Sequence, residues 1–291
     1  VAWLAESRPD LTFPHQVGEA ADVNIAYCPE RVLPGKVMVE LIQNDRVIGG
    51  MTPKCSARAS ELYKIFLEGE CVVTNSRTAE MCKLTENSFR DVNIAFANEL
   101  SLICDTQGIN VWDLIALANR HPRVNILQPG PGVGGHCIAV DPWFIVSQNP
   151  QQARLIHTAR LVNDGKPLWV VDRVKATVAD CLAQSGKRAA EVKIACFGLA
   201  FKPDIDDLRE SPAMEIAHMI SEWHVGKTMV VEPNIEQLPK KLIGHAELAT
   251  IDDALRDADV IVMLVDHKQF KAIPAEQVVQ TYIVDTKGVW K

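Results

Sequence analysis

The fold is decided by residues 78–106, which read TAEMCKLTENSFRDVNIAFANELSLICDT. This stretch contains neither Gly nor Pro, and its Ala, Leu, Ile and Phe residues recur at helical spacing. Gly108 follows as a helix stop signal. The pattern predicts a single helix of about 28 residues, which would be about 42 Å long.

The segment before this helix has the pattern of the end of an α/β sheet. Residues 1–22 contain Pro9, Pro14, several charges and no sustained periodicity, so we predict a linker there. Short β-type runs, set apart by Gly, Pro or Asn, come next. The predicted strands are 23–28, 46–50 and 71–74, with a helix over 56–67.

The chain after the long helix is predicted to be first helical and then α/β. We expect helices over 110–119, from Pro142 onward, and over 159–182 apart from Gly165-Lys166-Pro167. Beyond residue 185 strands alternate with helices, which is typical of a doubly wound parallel sheet. The predicted strands there are 193–201, 228–232, 260–265 and 282–285, and the predicted helices are 212–223 and 252–257. The fold class is therefore α/β, interrupted by an all-helical middle.

Composition excludes several classes of function. The 37 acidic residues outnumber the 30 basic ones, the net charge is −7, and no block of Lys and Arg is longer than two residues. This balance argues against binding to nucleic acid or to an acidic membrane surface. The longest apolar run, 260–265, is far shorter than the roughly 18 residues of a membrane span.

The eight cysteines are scattered without a CxxC pair, which indicates a reducing compartment, and we expect the cytoplasm. No signal-peptide pattern follows Val1, and we expect this chain to be a piece of a longer protein.

The loop at residues 128–141, QPGPGVGGHCIAVD, predicts that Cys137 is a reactive cysteine. Its literal GxGxxG at Gly130, Gly132 and Gly135 lacks the preceding strand of a dinucleotide fingerprint. Asp141 and Pro142 are a good N-cap and first residue, so Cys137 is expected one turn before a helix whose positive end favours thiolate. The alternative is that Cys137 is only packed in a turn, that His136 is an ordinary loop histidine, and that Asp141 only caps.

A polar stripe interrupts the apolar pattern of the long helix. Glu80, Lys83, Asn87 and Arg90 fall on one helical face. Lys83 and Asn87 would place an ammonium beside an amide, which suits a water or an oxyanion. A solvated face explains the same spacing, and periodicity alone does not decide between the two.

Three segments together resemble the UDP-glucose/GDP-mannose dehydrogenase family in order, spacing and residue type. Residues 79–90, continued by Ala97-Asn98-Glu99, are similar to its AExxKLxxNxxR helix, and residues 134–141 to its GGxC(x)3D nucleophile loop. Residues 197–204, running into 207–212, resemble the nucleotide-binding segment of its C-terminal domain. Three further segments resemble the branch of the family that acts on UDP-N-acetylhexosamines. They are Pro29-Glu30-Arg31-Val32, the loop sequence His-Cys-Ile-Ala-Val-Asp-Pro and the Val-Asp-Thr-Lys-Gly ending.

The resemblance implies an NAD-dependent, metal-free, four-electron oxidation of a sugar C6 alcohol to a carboxylate, for bacterial surface polysaccharide. The expected substrate is UDP-N-acetyl-D-mannosamine, with UDP-N-acetylglucosamine or UDP-glucose as alternatives. Cys137 would be the nucleophile, through a thiohemiacetal and a thioester. Lys83 would serve as acid/base and oxyanion partner, Asn87 would position water or substrate, and Asp141 is a candidate base. Which of Lys83 and Asp141 takes the alcohol proton stays open.

The resemblance also implies where the two ligands and a second subunit would bind. Arg209 matches a contact to the NAD pyrophosphate, and His121 and Arg123 match positions that reach the neighbouring subunit's site in a homodimer formed through the central helix. The positions that match substrate contacts are Arg31, Val32, Lys83, Asn87, Arg90, His121, Arg123, Gly134, Phe201, Lys202 and Lys287. The domains would then be the end of a Rossmann-like NAD-binding domain at 1–77, a helical dimerisation and catalytic domain at 78–184, and a Rossmann-like UDP-sugar-binding domain at 185–291.

Two departures from the family pattern stand out. No true GxGxxG follows a first strand, so we expect the N-terminal NAD-binding domain to be missing and the chain alone to be inactive. The usual FPKD after the nucleophile is Ile138-Ala139-Val140-Asp141, which loses a lysine. Two rival interpretations are a non-enzymatic dimerising fragment and a cysteine hydrolase, which would need a histidine base near Cys137 and would leave Lys83 and Lys202 unexplained.

Overall fold

The computed structural model describes residues 1–32, 36–279 and 281–290. Two compact units make up the chain, Val1–Asn87 and Ser88–Lys291. The division falls inside the long helix, which runs over Ser76–Gln107 and so confirms the element predicted at 78–106. Neither unit contains, among the described residues, a helix long and apolar enough to cross a membrane.

The first unit is built around a three-stranded sheet in the order β1-β2-β3. Strand β1 is antiparallel to β2, and β2 is parallel to β3. Gly49 in β2 is required by packing, because a Cβ there would lie 2.5 Å from the Ala79 Cβ of the long helix. The elements of this unit are α1 (Ala2–Ser7), α2 (Pro14–Val17), β1 (Ala26–Tyr27), α3 (Val37–Gln43), β2 (Arg46–Gly50), α4 (Pro53–Tyr63), β3 (Cys71–Asn75) and the start of α5 (Ser76–Gln107).

Two predictions for this unit were wrong. Residues 1–22 form two short α-helices and a 3-10 helix rather than a linker, and Pro14 occupies a first helical turn instead of breaking one. The helix expected over 56–67 begins earlier, at Pro53, because the Thr52 side chain accepts a hydrogen bond from the Cys55 amide and caps it.

The second unit holds a five-stranded sheet in the order β6-β5-β4-β7-β8, with every neighbouring pair parallel. This confirms the predicted doubly wound sheet. After the end of α5, its elements are α6 (Val111–Ala118), α7 (Asp141–Gln148), α8 (Arg154–Ser185), β4 (Ile194–Phe197), α9 (Pro212–Trp223), β5 (Thr228–Val231), β6 (Glu247–Leu248), α10 (Ile251–Asp257), β7 (Val260–Met263), α11 (Lys268–Lys271) and β8 (Tyr282–Asp285).

The core of the second unit lies on both faces of this sheet. Alternate residues of the central strand β4 point to opposite faces, so Ile194 and Cys196 pack beneath α8 and α9. Ala195 and Phe197 face the other way, into a cluster that includes Phe270 of α11. Every residue of β4 is buried, as expected for a central parallel strand.

Helix α8 corrects a third prediction. It continues through Gly165-Lys166-Pro167, where a break was expected. Pro167 supplies no amide hydrogen to the helix, but the neighbouring side chains of Asn163 and Lys166 are buried and hydrogen-bonded to α5. These tertiary contacts hold the helix where the local sequence favours an interruption.

Candidate active site

A cavity of about 150 Å³ lies at the carboxyl end of strand β4 in the second unit. The chain leaves β4 for β5 on one side and returns as β7 on the other, so the strand order reverses here. Ligands of doubly wound sheets bind in the crevice at such a reversal. The residues that line the cavity are Ile94, Gln128, Gly130, Pro131, Gly132, Ala200, Phe201, Pro203, Pro212, Ala213, Leu264, Val265 and Lys287.

The glycine loop is seated directly on the segment that follows β4. A Cβ on Gly134 would lie 2.3 Å from the Glu210 carbonyl oxygen, and one on Gly135 would lie 3.0 Å from the Phe201 ring. Gly135 also has a φ of +84°, in the region that favours glycine. These positions therefore admit only glycine, and the contact brings Gly134 and Phe201, both predicted site residues, together.

Cys137 begins the turn that becomes helix α7. Its carbonyl oxygen accepts the amide hydrogens of Val140 at 3.0 Å and Asp141 at 2.8 Å, and its side chain is half-buried. Asp141 is the first residue of α7, and Val140 is the N-cap, so the predicted capping role of Asp141 was wrong. The backbone of this turn, rather than a side-chain cap, places the thiol one turn before the helix.

Arg209 and Asp207 form a fork beside the cysteine loop. Arg209 Nε lies 2.9 Å from Asp207 Oδ1, and Arg209 Nη2 lies 2.6 Å from Asp207 Oδ2. These hydrogen bonds lower the pKa of Asp207 to about 2, with a smaller effect of His136 in the same direction. Asp207 raises the pKa of Arg209, and Cys137 adds to that rise, which indicates that the guanidinium and the thiol are electrostatic neighbours.

Arg209 keeps a donor for a phosphate group. Asp207 occupies its Nε and Nη2, and Nη1 has no hydrogen-bond partner in the described part of the chain. An exposed guanidinium with one unoccupied donor fits a pyrophosphate oxygen, the contact predicted for NAD.

Two predicted substrate cations differ in how firmly they are held. Lys202 is exposed, whereas Lys287 is half-buried and its ammonium lies 3.2 Å from the Asp266 carboxylate. Burial acts to raise the pKa of Asp266, but the Lys287 and Lys271 ammonium groups outweigh it and hold that pKa below its usual range. Lys287 is thus a fixed cation in the cavity wall, while Lys202 extends into solvent.

A buried histidine and carboxylate support the loop that carries Lys202. Glu232, just after β5, accepts hydrogen bonds from the Leu199 and Ala200 amides at 2.7 and 3.1 Å. His267 Nδ1 lies 2.9 Å from the amide of Asp204, two residues after Lys202. Sequence reasoning missed this pair, because neither residue belongs to a recognisable motif.

A second support was also missed, although Asn98 stood in the quoted motif. The Asn98 side chain accepts a hydrogen bond from the Gly130 amide at 2.9 Å and donates one to Asn163 of α8 at 2.9 Å. Asn163 in turn donates to Asp91 at 2.8 Å, and Arg160 pairs with Asp91 at 2.6 Å. This buried row of polar side chains between α5 and α8 fixes the start of the glycine loop.

The remaining site residues of the second unit lie away from the cavity lining. Arg90 is exposed on α5. His121 and Arg123 are exposed in the turn after α6, where the Arg123 amide donates to His121 Nδ1 at 3.3 Å. The structure therefore presents Arg123 to solvent.

The first unit carries the other four predicted site residues. Lys83 and Asn87 are one turn apart on α5, the former half-buried and the latter 7% exposed. Arg31 pairs with Glu86 on the same helix, at 2.9 Å between Nη2 and Oε1. The Val32 amide donates to the Glu30 carboxylate, so the backbone donor predicted for a phosphate is satisfied locally.

Comparison with known proteins shows the family of the chain. Profiles of the UDP-glucose/GDP-mannose dehydrogenase family match at residues 2–67 for its NAD binding domain, 77–165 for its central domain and 195–291 for its UDP binding domain. The UDP-N-acetyl-D-mannosamine dehydrogenase of Yersinia pestis is 84% identical over 99% of this chain and 69% of its own length. The chain belongs to the UDP-glucose/GDP-mannose dehydrogenase family.

Other relatives lie in the same family. The UDP-N-acetyl-D-mannosamine dehydrogenase of Escherichia coli (strain K12) is 82% identical over 99% of this chain and 69% of its own length. The solved UDP-D-ManNAc dehydrogenase of Pyrococcus horikoshii is 36% identical, with a TM-score of 0.82 over 95% of this chain and 64% of that one. The chain thus spans about two thirds of these relatives.

The family match bears on the first unit and on the cofactor. Residues 2–67 match the NAD binding domain of the family, in the segment predicted to be the end of such a domain. The same match supports NAD as the cofactor.

Proposed function

We propose that this protein catalyses the NAD-dependent, four-electron oxidation of UDP-N-acetyl-D-mannosamine at C6 to the uronate. The observation that carries the proposal is the seating of the Gly134–Gly135 loop, with Cys137, on the segment after β4. We infer from this seating that the half-buried thiol serves the crevice at the reversal of strand order, where doubly wound sheets bind their ligands. The sugar is proposed from the relatives, which at 81% identity and above are named for UDP-N-acetyl-D-mannosamine.

The thiol of Cys137 has the central chemical role. It adds to the C6 aldehyde left by the first oxidation, so that a C–S bond forms and the carbonyl oxygen becomes the hydroxyl of a thiohemiacetal. Loss of the hydride from C6 and of the hydroxyl proton gives a thioester. Water then cleaves the C–S bond, which releases the carboxylate and regenerates the thiol. NAD, when bound, accepts the hydride of each oxidation.

Lys83, Asn87 and Asp141 are proposed to manage protons and the oxyanion. An ammonium at Lys83 stabilises negative charge on the C6 oxygen, and the Asn87 amide, one turn away, orients water or substrate. Asp141 belongs to the turn of Cys137, and we assign it as a base for the attacking water.

The diphosphate and the sugar are proposed to bind through cations, polar side chains and backbone amides. Lys287 has the strongest support, because it lines the cavity and is held by Asp266. The other proposed contacts are Arg31, Val32, Lys83, Asn87, Arg90, His121, Arg123, Gly134, Phe201 and Lys202. His121 and Arg123 act on the site of a second copy in a homodimer formed through the central helix.

All eight cysteines are unpaired, which supports a reducing compartment, and we place the protein in the cytoplasm.

The proposal is tested by supplying NAD and one UDP-sugar at a time to the full-length protein, since residues 1–291 alone are expected to be inactive. UDP-N-acetyl-D-mannosamine should yield two NADH per carboxylate formed, with a higher kcat/KM than UDP-N-acetylglucosamine or UDP-glucose. A preference for UDP-glucose would overturn the substrate assignment. Release of phosphate or sugar without NADH would overturn the reaction class.

A further inference from the structure

A second cavity, of about 250 Å³, lies in the same unit as the crevice but is lined by a different set of residues. Helices α5, α6 and α8 and the end of strand β8 form its walls. It has room for about eight waters, or for an organic molecule of the size of benzoate. None of the residues assigned to substrate or cofactor lines it.

The cavity contains a buried lysine without a counter-charge. Lys166 of α8 is 3% exposed, and its amine lies 2.5 Å from the Ser101 hydroxyl and 3.8 Å from the centre of the Trp169 ring. Within the described ranges, no carboxylate forms an ion pair with this amine. Burial lowers the pKa of Lys166 to about 7, although Asp105 acts in the opposite direction.

The other charged groups that line the cavity are already engaged. Asp105 of α5 pairs with Arg173 of α8 at 3.6 Å. Asp285, at the end of β8, accepts three backbone amide hydrogens, from Lys287, Gly288 and Trp290. Asp105, Arg173 and Asp285 are the charged groups that face Lys166 from the elements around it. The positive charge of Lys166 is therefore the one left uncompensated.

The rest of the lining includes several apolar and aromatic side chains. The Trp169 ring lies against the Lys166 amine, and Trp112 of α6 and Ile283 of β8 also border the cavity. A buried cation beside apolar walls is complementary to a molecule that has one anionic end and an apolar body.

We propose that this cavity binds a small organic carboxylate, whose anionic group pairs with Lys166 and whose apolar body lies against Trp169. The carboxylate supplies the counter-charge that the protein lacks there. The apolar body of the ligand excludes water from the Trp169 ring. Arg173, which forms an ion pair with Asp105, is a second cation at the border of the cavity.

Thermal unfolding in the presence of benzoate tests the proposal, with benzamide as the neutral molecule of the same shape. At about pH 6, and at matched ionic strength, about 20 mM benzoate should raise the Tm by about 2 °C or more. Benzamide should leave the Tm unchanged. At about pH 8.5 the affinity for benzoate should fall by about tenfold or more, because Lys166 has lost its proton. Equal shifts with both molecules, or no shift with benzoate, would overturn the proposal.

Two variants separate Lys166 from nonspecific anion effects. Lys166→Met should lose the benzoate response, and its own Tm should exceed that of the parent chain because an uncompensated buried charge is removed. Lys175→Met, at an exposed position of the same helix, should keep the response in full. A benzoate shift that survives in Lys166→Met would contradict the proposal. Should Lys166→Met not fold, the benzoate and benzamide comparison at the two pH values decides the question alone.

Discussion

His267 Nε2 lies 3.0 Å from Glu232 Oε2, and both side chains are completely buried. Because an ionised carboxylate only accepts hydrogen bonds, Nε2 carries the proton and Nδ1 accepts the Asp204 amide hydrogen. One neutral imidazole thus links the end of β5 to the loop that carries Lys202. We expect His267→Gln to lower the free energy of unfolding by about 2–4 kcal/mol and to weaken UDP binding. Urea unfolding and calorimetry measure the two effects, and His245→Gln, at an exposed position, should change neither.

Glu232 should make stability depend on pH in the acid range. Burial acts to raise the pKa of its carboxyl, but hydrogen bonds from His267 and from the Leu199 amide outweigh it, so the pKa lies below its usual value. A carboxyl whose pKa is lower in the folded state than in the unfolded state stabilises the fold. This stabilisation is complete above the pKa of the unfolded state, about 4.3, and is lost as the pH falls through the pKa of the folded state. Urea unfolding between about pH 6 and pH 3 should therefore show a steeper loss for the parent chain than for Glu232→Gln. Parallel curves for the two proteins would show that Glu232 does not contribute in this way.

In the full-length enzyme, Cys137→Ser should leave UDP-sugar binding intact and block carboxylate formation at the aldehyde stage, since a hydroxyl is a far weaker nucleophile than a thiolate. Product analysis by mass spectrometry and a UDP-sugar titration measure the two effects. Cys71→Ser, at a half-buried cysteine of strand β3, serves as the control and should retain activity. Normal carboxylate production by Cys137→Ser would remove the thiol from the mechanism.

Gly134→Ala should damage the site much more than an alanine elsewhere. Its Cβ would lie 2.3 Å from the Glu210 carbonyl oxygen, so the loop must move away from the segment it packs on. A loss of about 1–3 kcal/mol of stability, with a large loss of UDP affinity, is the expected result. Gly165→Ala is the matched control, because nothing lies within 4 Å of its Cβ and α8 should gain about 0.5–1 kcal/mol. Similar behaviour of the two variants would refute the tight fit of the loop.

Removal of the charge at Lys202 or Arg123 should weaken UDP-sugar binding by about 1.5–3 kcal/mol, the scale of a hydrogen bond to a charged group. Arg123 is also expected to act across subunits. Mixing Arg123→Ala with Cys137→Ser subunits should then restore activity, because some mixed dimers contain one complete site. Failure to restore activity would rule out the contribution of Arg123 to a second copy.

The architecture was predictable where local pattern and tertiary structure agree. The absence of Gly and Pro over 78–106 predicted α5 to within two residues at its start and one at its end, and alternation of strands and helices predicted the second sheet. Helix α8 was predicted with a break, because the effect of Pro167 is local whereas the contacts that offset it come from α5. Sequence spacing carries no signal for such pairs, since Asn163 and Asp91 are 72 residues apart.

In the candidate site, too, local motifs were predictable from the sequence and tertiary contacts were not. Cys137, Gly134 and Phe201 could be predicted as site residues because they lie in contiguous motifs, and the structure brings Gly134 and Phe201 into contact. The supports of those loops were not found, because Glu232 and His267 meet only through the fold. Burial turns these two ordinary polar residues into a specific pair, and burial is a property of the folded chain.

The turn after strand β8 has a wider consequence. Thr286 borders the larger cavity and Lys287, the next residue, borders the crevice; Pro129 and Gly130 divide in the same way. Consecutive residues therefore belong to the two linings, and the backbone amides of Lys287 and Gly288 are fixed by their hydrogen bonds to Asp285. If a ligand in one cavity changes the affinity of the other cavity for its own ligand by some factor, thermodynamic linkage requires the reverse effect to be equal. The second ligand then changes the affinity for the first by the same factor. This turn is the place where such mutual influence between an organic acid and a nucleotide sugar would originate.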